Sequence, residues 1–163
     1  MVSMTDIPLP REIEADPACA ASIRVRLADT GRLLWPGAHA VVSVLPLGAA
    51  LADALRATWR DGQLVLGLEG ATAALATEAR GLAGRPPGMR VSRLLLLSDD
   101  GAERLYRHAE RLAMVHAPRV LAAVLAANGA ALGRATTGRE VVVKAVLAQH
   151  KQAVAVLLRA LTA

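Results

Sequence analysis

Short apolar runs alternate with segments of helical periodicity from residue 47 onward in this 163-residue chain, and this alternation constrains the fold more than any other feature. Apolar residues recur at helical spacing in the segments 47–59, 70–81, 100–113, 127–135 and 149–161. Strand-like apolar runs lie between them at 63–67, 91–98, 119–125 and 140–147. Strands that are separated by helices of this length are joined by crossovers. We therefore predict an α/β fold, a three-layer α/β/α sandwich with a mainly parallel or mixed sheet.

Residues 119–135 have two interpretations. The first is a strand over 119–125 followed by a short helix or turn over 127–135. However, Asn128 and Gly129 stand between apolar runs, and an Asn-Gly pair is also a signal for a tight β-hairpin. The second interpretation is therefore a pair of antiparallel strands, and the sequence leaves both open.

The first 46 residues have a different pattern, and we predict an N-terminal arm and β-hairpin packed on a domain formed by residues 47–163. Apolar residues and arginines alternate over 22–27, as in a half-buried strand. Turn-forming residues follow, and 32–35 supplies the partner strand. The opening segment, rich in proline and acids, is expected to be a loose or docked arm.

Composition indicates a cytoplasmic protein with a small-residue core. Apolar residues make up 54% of the chain, but there is no Phe, so Ala, Leu and Val must fill the interior. Cys19 is the only cysteine, which excludes an internal disulfide and fits a reducing compartment. The first 20 residues lack the apolar stretch of a secretory signal. Residues 33–52 carry no charge, but prolines and glycines interrupt them, so we expect no membrane helix and no membrane partner.

Positive charge is concentrated in the second half of the chain. Residues 1–81 hold 7 basic residues against 9 acids, whereas residues 82–163 hold 12 against 5. This distribution favours an anionic partner such as a nucleic acid. A genome rich in G and C would also raise the arginine content, so the charge alone does not establish that partner.

Three segments carry a family resemblance. They are Leu64–Thr72 (LVLGLEGAT), Leu94–Asp100 (LLLLSDD) and Ala131–Ala135 (ALGRA), with Gly138 shortly after. Together with the element order over residues 47–163, they resemble the kink-turn-binding ribosomal-protein superfamily, which includes archaeal and eukaryotic large-subunit RNA-binding proteins and bacterial relatives. The resemblance implies this α/β fold and RNA binding.

The resemblance does not extend to the residues that read a kink-turn. Archaeal and eukaryotic members place an Asn and a Glu after the strand-ending glycine, and a Lys one turn into the helix. The corresponding residues here are Glu69, Gly70 and Ala73. The resemblance therefore implies RNA binding without kink-turn specificity, and it does not account for the first 46 residues.

A glycine-containing turn between a strand and a helix is the main candidate for phosphate binding. Backbone N–H groups at a helix start can bind a phosphate oxygen, although glycines also serve ordinary tight turns. No P-loop and no GxGxxG motif is present, so we expect no nucleotide cofactor. Arginines near this turn, around the 82–89 loop and near the C-terminus complete a phosphate-binding face, unless they form an ordinary solvated surface. The predicted nucleic-acid-binding residues are Gly67, Glu69, Gly70, Thr72, Arg80, Arg85, Arg90, Arg93, Arg134 and Arg139.

Asp99 and Asp100 are the only candidates for a metal site. They follow the most apolar strand, and adjacent carboxylates can hold Mg²⁺. The alternative is that one of them caps the next helix, because Asp100 and Glu103 resemble a capping box.

We predict no catalytic residue and a non-catalytic RNA-binding domain. The alternatives are an assembly module that forms a homo-oligomer through its N-terminal strands, or a small metal-dependent enzyme using Asp99 and Asp100.

Overall fold

The fold is an α/β sandwich, described here from a computed structural model that covers residues 6–86 and 88–163. Within this part of the chain, one sheet contains six strands in the order β1-β2-β5-β4-β6-β3. The strands are β1 (Gly31–Leu33), β2 (Val41–Leu45), β3 (Leu64–Leu66), β4 (Arg93–Leu97), β5 (Val120–Leu125) and β6 (Ala145–Ala148). Strand β5 pairs in parallel with both β2 and β4. The other three pairs, β1–β2, β4–β6 and β3–β6, are antiparallel, so the sheet is mixed.

Helices cover both faces of this sheet, which confirms the predicted three-layer sandwich. They are α1 (Arg11–Glu14), α2 (Pro17–Asp29), α3 (Ala49–Arg60), α4 (Leu68–Gly81), α5 (Glu103–Val115), α6 (Gly129–Thr137) and α7 (Lys151–Ala160). Helices α4 and α5 pack on one face, and the others pack on the opposite face. Strand β4 points Leu94 and Leu96 into one core and Leu95 and Leu97 into the other. Its continuous apolar run follows from burial on both faces.

The predicted strand over 22–27 is wrong, because these residues belong to helix α2. Asp16 caps the helix by accepting a hydrogen bond from the Cys19 backbone N–H at 3.2 Å, and Pro17 occupies the first helical position. Ile23 and Leu27 are fully buried at helical spacing, whereas Val25 is 71% exposed. The predicted hairpin between 22–27 and 32–35 is therefore not formed.

The first 46 residues supply part of the sheet and part of both cores. Strand β1 pairs antiparallel with β2, and β2 pairs in parallel with β5. Leu9 and Ile13 are fully buried, and the Val91 N–H donates to the Pro8 carbonyl at 2.7 Å. The opening arm is thus docked on the region where β4 begins.

The Asn-Gly pair starts a helix and not a hairpin. Asn128 is the N-cap of α6, and its Oδ1 accepts from the Ala131 N–H at 2.8 Å. Residues 119–135 therefore form a strand and a helix, as in the first interpretation. The predicted strand over 140–147 is shorter than expected, since β6 begins only at Ala145.

Candidate nucleic-acid interface

The candidate site lies where β3, β4 and β5 end and β6 begins, which we call the carboxyl edge. Leu97 pairs with Ala145 on one side and with Val124 on the other, so these strand ends are side by side. The Gly67 N–H donates to the Ala145 carbonyl at 2.8 Å and fixes the end of β3 beside the start of β6. The opposite side of the sheet, where β4 and β5 begin, is the amino edge.

The glycine turn after β3 is built by backbone geometry. Gly67 has φ +87° and ψ 150°, a conformation that side chains disfavour, although an added Cβ would meet nothing within 4 Å. At Gly70 an added Cβ would lie 2.8 Å from Cγ1 of Val65, so close packing requires this glycine. The first N–H groups of α4 lack intrahelical acceptors and lie at the carboxyl edge. The turn therefore serves local structure and also presents hydrogen-bond donors there.

Residues 139–144 form a loop that lies directly on helix α6. A Cβ added at Gly133 would stand 1.7 Å from the Val141 carbonyl oxygen, and one at Gly129 would stand 2.9 Å from Cγ1 of Val142. The Val143 N–H also donates to the Gly129 carbonyl at 2.9 Å. Two glycines thus allow the loop to approach the helix backbone. The result is that Val141 and Val142 are held outward, 41% and 65% exposed.

A groove of about 680 Å³ separates this loop from the end of β3, and we call it the carboxyl-edge groove. Its lining residues are Trp59, Leu66, Gly67, Thr137, Arg139, Val141, Val142, Val143 and Lys144. Among these described lining residues none is acidic, and most of the wall is apolar. The groove therefore suits a ligand with an apolar body and a negative group.

The two cations that line the groove differ in how they are held. Lys144 Nζ lies 2.8 Å from Oδ2 of Asp100, and this contact holds the pKa of the Asp100 carboxyl below its ordinary value. In the part of the chain that the structure describes, Arg139 has no acidic partner within ion-pair distance and is exposed. Arg139 is therefore the cation best placed to meet an anion.

Further arginines surround the end of helix α6 beside the groove. Arg134 Nε lies 3.0 Å from Oε1 of Glu140, which lowers the pKa of Glu140 and raises that of Arg134. The Arg56 guanidinium donates to the carbonyls of Ala135 at 3.2 Å and Arg134 at 2.9 Å. Arg56 thereby joins α3 to the carboxyl end of α6, where a cation is favourable.

The predicted arginines do not form one face. Arg80, Arg85, Arg90 and Arg93 lie at or near the amino edge, about 20 Å from Gly67 along helix α4. Gly67, Gly70, Arg134 and Arg139 lie at or near the carboxyl edge instead. The separation arises because β4 runs from one edge to the other, a path that residue spacing in the sequence does not reveal.

Some of the amino-edge arginines are committed to structural contacts. Glu78 bridges Arg93 Nε at 2.8 Å and Arg119 Nη2 at 2.9 Å, and all three side chains are largely buried. Arg90 donates to the Leu9 carbonyl at 3.2 Å and so helps to dock the opening arm. Arg80 and Arg85 are exposed.

Two predicted residues in the first turns of α4 have different surroundings. The Thr72 hydroxyl donates to the Leu68 carbonyl at 2.7 Å and lies 3.2 Å from Nε2 of His108. It therefore contributes to the packing of α4 on α5. Glu69 is exposed, and its negative charge disfavours a phosphate at this helix start.

The predicted cap by Asp99 or Asp100 is wrong. Helix α5 begins at Glu103 with Ala102 as its N-cap and has no side-chain cap. Asp100 instead accepts a hydrogen bond from the Gly129 N–H at 2.9 Å. This bond joins the segments that follow the neighbouring strands β4 and β5. Asp100 therefore provides a hydrogen-bond acceptor for a backbone N–H at the start of α6.

Within residues 6–86 and 88–163, no group of three or more His, Cys, Asp or Glu side chains could hold a metal ion.

Sequence reasoning missed Trp59, Val141 and Val142 as groove residues. Trp59 matched the apolar stripe of a helix, and the two valines matched a buried strand. One signal was available in the spacing of Gly129 and Gly133, since glycines one turn apart on a helix permit close approach of another backbone.

No protein-family model and no curated protein matches the chain. The resemblance to kink-turn-binding ribosomal proteins therefore stays a prediction. Among the described helices, none is both long and apolar enough to cross a membrane.

Proposed function

We propose that this protein is a non-catalytic RNA-binding domain whose carboxyl-edge groove contacts the RNA. The observation that carries the proposal is an apolar groove that has Arg139 and Lys144 on its wall and no acid among its described lining residues. RNA combines flat apolar bases with a negative backbone, so it matches both properties. The positive second half of the chain adds long-range attraction.

Each contact in the proposed interface has a distinct role. Arg139 binds phosphate directly, because no described acid competes for its guanidinium. Lys144 adds charge that Asp100 partly neutralises. The first N–H groups of α4, after Gly67, are not assigned to a phosphate, because the exposed Glu69 carboxylate disfavours one there. Arg80 and Arg85 meet only an RNA that extends along α4 toward the amino edge.

A salt titration tests the proposal. A labelled hairpin RNA with an unpaired loop is titrated with the protein at several salt concentrations, and binding is followed by fluorescence anisotropy. We expect the affinity to fall steeply as salt increases, because bound phosphates release counterions. Absence of binding at low salt, or binding that does not respond to salt, would contradict the proposal.

A pair of arginine variants locates the contact. Arg139→Ala should weaken binding and reduce the slope of log affinity against log salt by about 0.7 to 0.9, the contribution of one phosphate. The control is Arg26→Ala, an equal charge change at an exposed position on α2, which packs on β2 at the far end of the strand order. Equal losses in the two variants would show attraction to net charge alone.

A homo-oligomer is the second candidate, and one observation favours it. Strand β1 is at the end of the sheet, and its Leu33 pairs with Val41, with both side chains about half exposed. An apolar sheet edge can pair with a second copy of the chain. Light scattering after size exclusion tests this interaction, with Leu33→Lys as the variant. A wild-type monomer at all concentrations would argue against it.

A further inference from the structure

Trp59 is the aromatic side chain among the residues that line the groove. The residue ends the apolar stripe of α3, and 37% of it remains exposed. The chain has only one other tryptophan, Trp35, which packs against the core under α4 and α5 with the Arg107 guanidinium 4.4 Å from its ring centre. Trp59 is therefore the aromatic residue available to a ligand in the groove.

Contacts on both sides hold the groove open. Arg56 ties α3 to the carboxyl end of α6, and the buried Thr58 hydroxyl donates to the Ala54 carbonyl within α3. The loop that carries Val142 is fixed on α6 by the close approaches at Gly129 and Gly133. Both walls therefore exist before a ligand binds, which lowers the entropic cost of binding.

We propose that the carboxyl-edge groove accepts one unpaired nucleotide, with its base against the Trp59 indole and its phosphate on Arg139. This inference rests on the proposed function and specifies its ligand. The Trp59 indole and the valine side chains line the same groove, which suits a flat apolar ring, and the Arg139 guanidinium on that groove suits the attached phosphate. Bases within a duplex are stacked and cannot enter such a groove, so the nucleotide must be unpaired.

The same chemistry is present in an RNA strand and in a free nucleotide. A short single-stranded RNA, a fully paired duplex of the same sequence and AMP are therefore the three probes. An RNA strand offers a neighbouring phosphate to Lys144 on the groove wall, so we expect it to bind more tightly than AMP.

Tryptophan fluorescence reports the contact directly. In the Trp35→Phe variant all tryptophan emission comes from Trp59, and in Trp59→Phe all of it comes from Trp35. We expect the single strand to quench Trp59 with the same midpoint as anisotropy, and to leave Trp35 unchanged. Unchanged Trp59 emission at saturating RNA, or equal quenching by the duplex, would overturn the inference. If Trp35→Phe does not fold, the difference between wild type and Trp59→Phe gives the same signal.

Affinity gives a second readout. Trp59→Ala should weaken binding of the single strand by roughly tenfold or more, as loss of one stacked base does, and Trp59→Phe should weaken it less. Val142→Glu places a carboxylate at an exposed position on the groove lining and should weaken binding similarly. Val156→Glu, on the exposed side of α7, is the matched control and should bind like wild type. Wild-type affinity in Trp59→Ala would refute the role of this residue.

The two proposals fail in different ways. If the wild-type protein binds no RNA at low salt, the proposed function fails. If it binds RNA with a steep salt dependence but Trp59→Ala binds equally well, only the unpaired-nucleotide inference fails. If AMP quenches Trp59 and single-stranded RNA does not, the groove takes a free nucleotide and the RNA proposal fails.

Discussion

Replacement of Gly133 by alanine tests the packing that builds the groove. The added Cβ would stand 1.7 Å from the Val141 carbonyl oxygen, so the loop over residues 139–144 must retreat by roughly 1.5 Å or more to reach an ordinary contact distance. Overpacking of this kind costs about 1–3 kcal/mol, and the better helix propensity of alanine offsets up to about 1 kcal/mol of it. We therefore expect net destabilisation and a displaced groove wall.

Urea and thermal unfolding measure the change in stability, and RNA anisotropy measures the change in binding. For a chain of this size, each kcal/mol lost should lower Tm by about 2–4 °C. The control is Gly81→Ala at the end of α4, where an added Cβ meets nothing within 4 Å and stability should stay the same or rise. If Gly133→Ala is as stable as wild type and binds RNA equally well, the close approach does not support the groove.

Three further predictions concern backbone strain and pH. Gly67→Ala should destabilise the protein by about 1–3 kcal/mol in urea unfolding, because φ +87° with ψ 150° is a conformation essentially restricted to glycine, although the space is open. The folded-state pKa of Asp100 is lowered chiefly by Lys144, so its stabilising effect is present above about pH 3.8 and disappears as pH falls through the folded-state value. The stability advantage of wild type over Asp100→Asn should therefore shrink in unfolding experiments below that pH. Burial, then Arg119, lowers the pKa of His116 from 6.5, so protonation favours the unfolded state. Stability should decline as pH falls below 6.5, and His116→Gln should flatten that decline in a series of thermal melts.

Prediction from sequence failed where a local pattern had two possible interpretations. Residues 22–27 satisfy the alternation of a strand and also the spacing of a helix, and the cap at Asp16 with Pro17 favours the helix. This helix signal is local to the segment, whereas the alternation alone predicts a strand. The Asn128-Gly129 pair is different, because its ambiguity ends only when Asp100 accepts the Gly129 N–H from a distant part of the chain.

The arginines show a second limit of prediction from the sequence. Arg93 and Arg139 both belong to the positive half of the chain, yet one is at the amino edge in an ion pair with Glu78 and the other is exposed beside the groove. Charge counted along the chain predicts the sign of the field around the protein. It does not predict which cations remain available, because that depends on the acids that the fold brings near them.

The sequence by itself determined the α/β class, the burial of β4 and the order of elements after residue 47 except within 119–135, because apolar periodicity is a local property of each segment. Only the tertiary structure decided the groove. Val142 lies far along the chain from Trp59 and Gly67, and the three line one groove because β3 pairs with β6 and the loop before β6 packs on α6. Strand register and close helix contact are set by the packing of the whole molecule, so no single segment encodes the site.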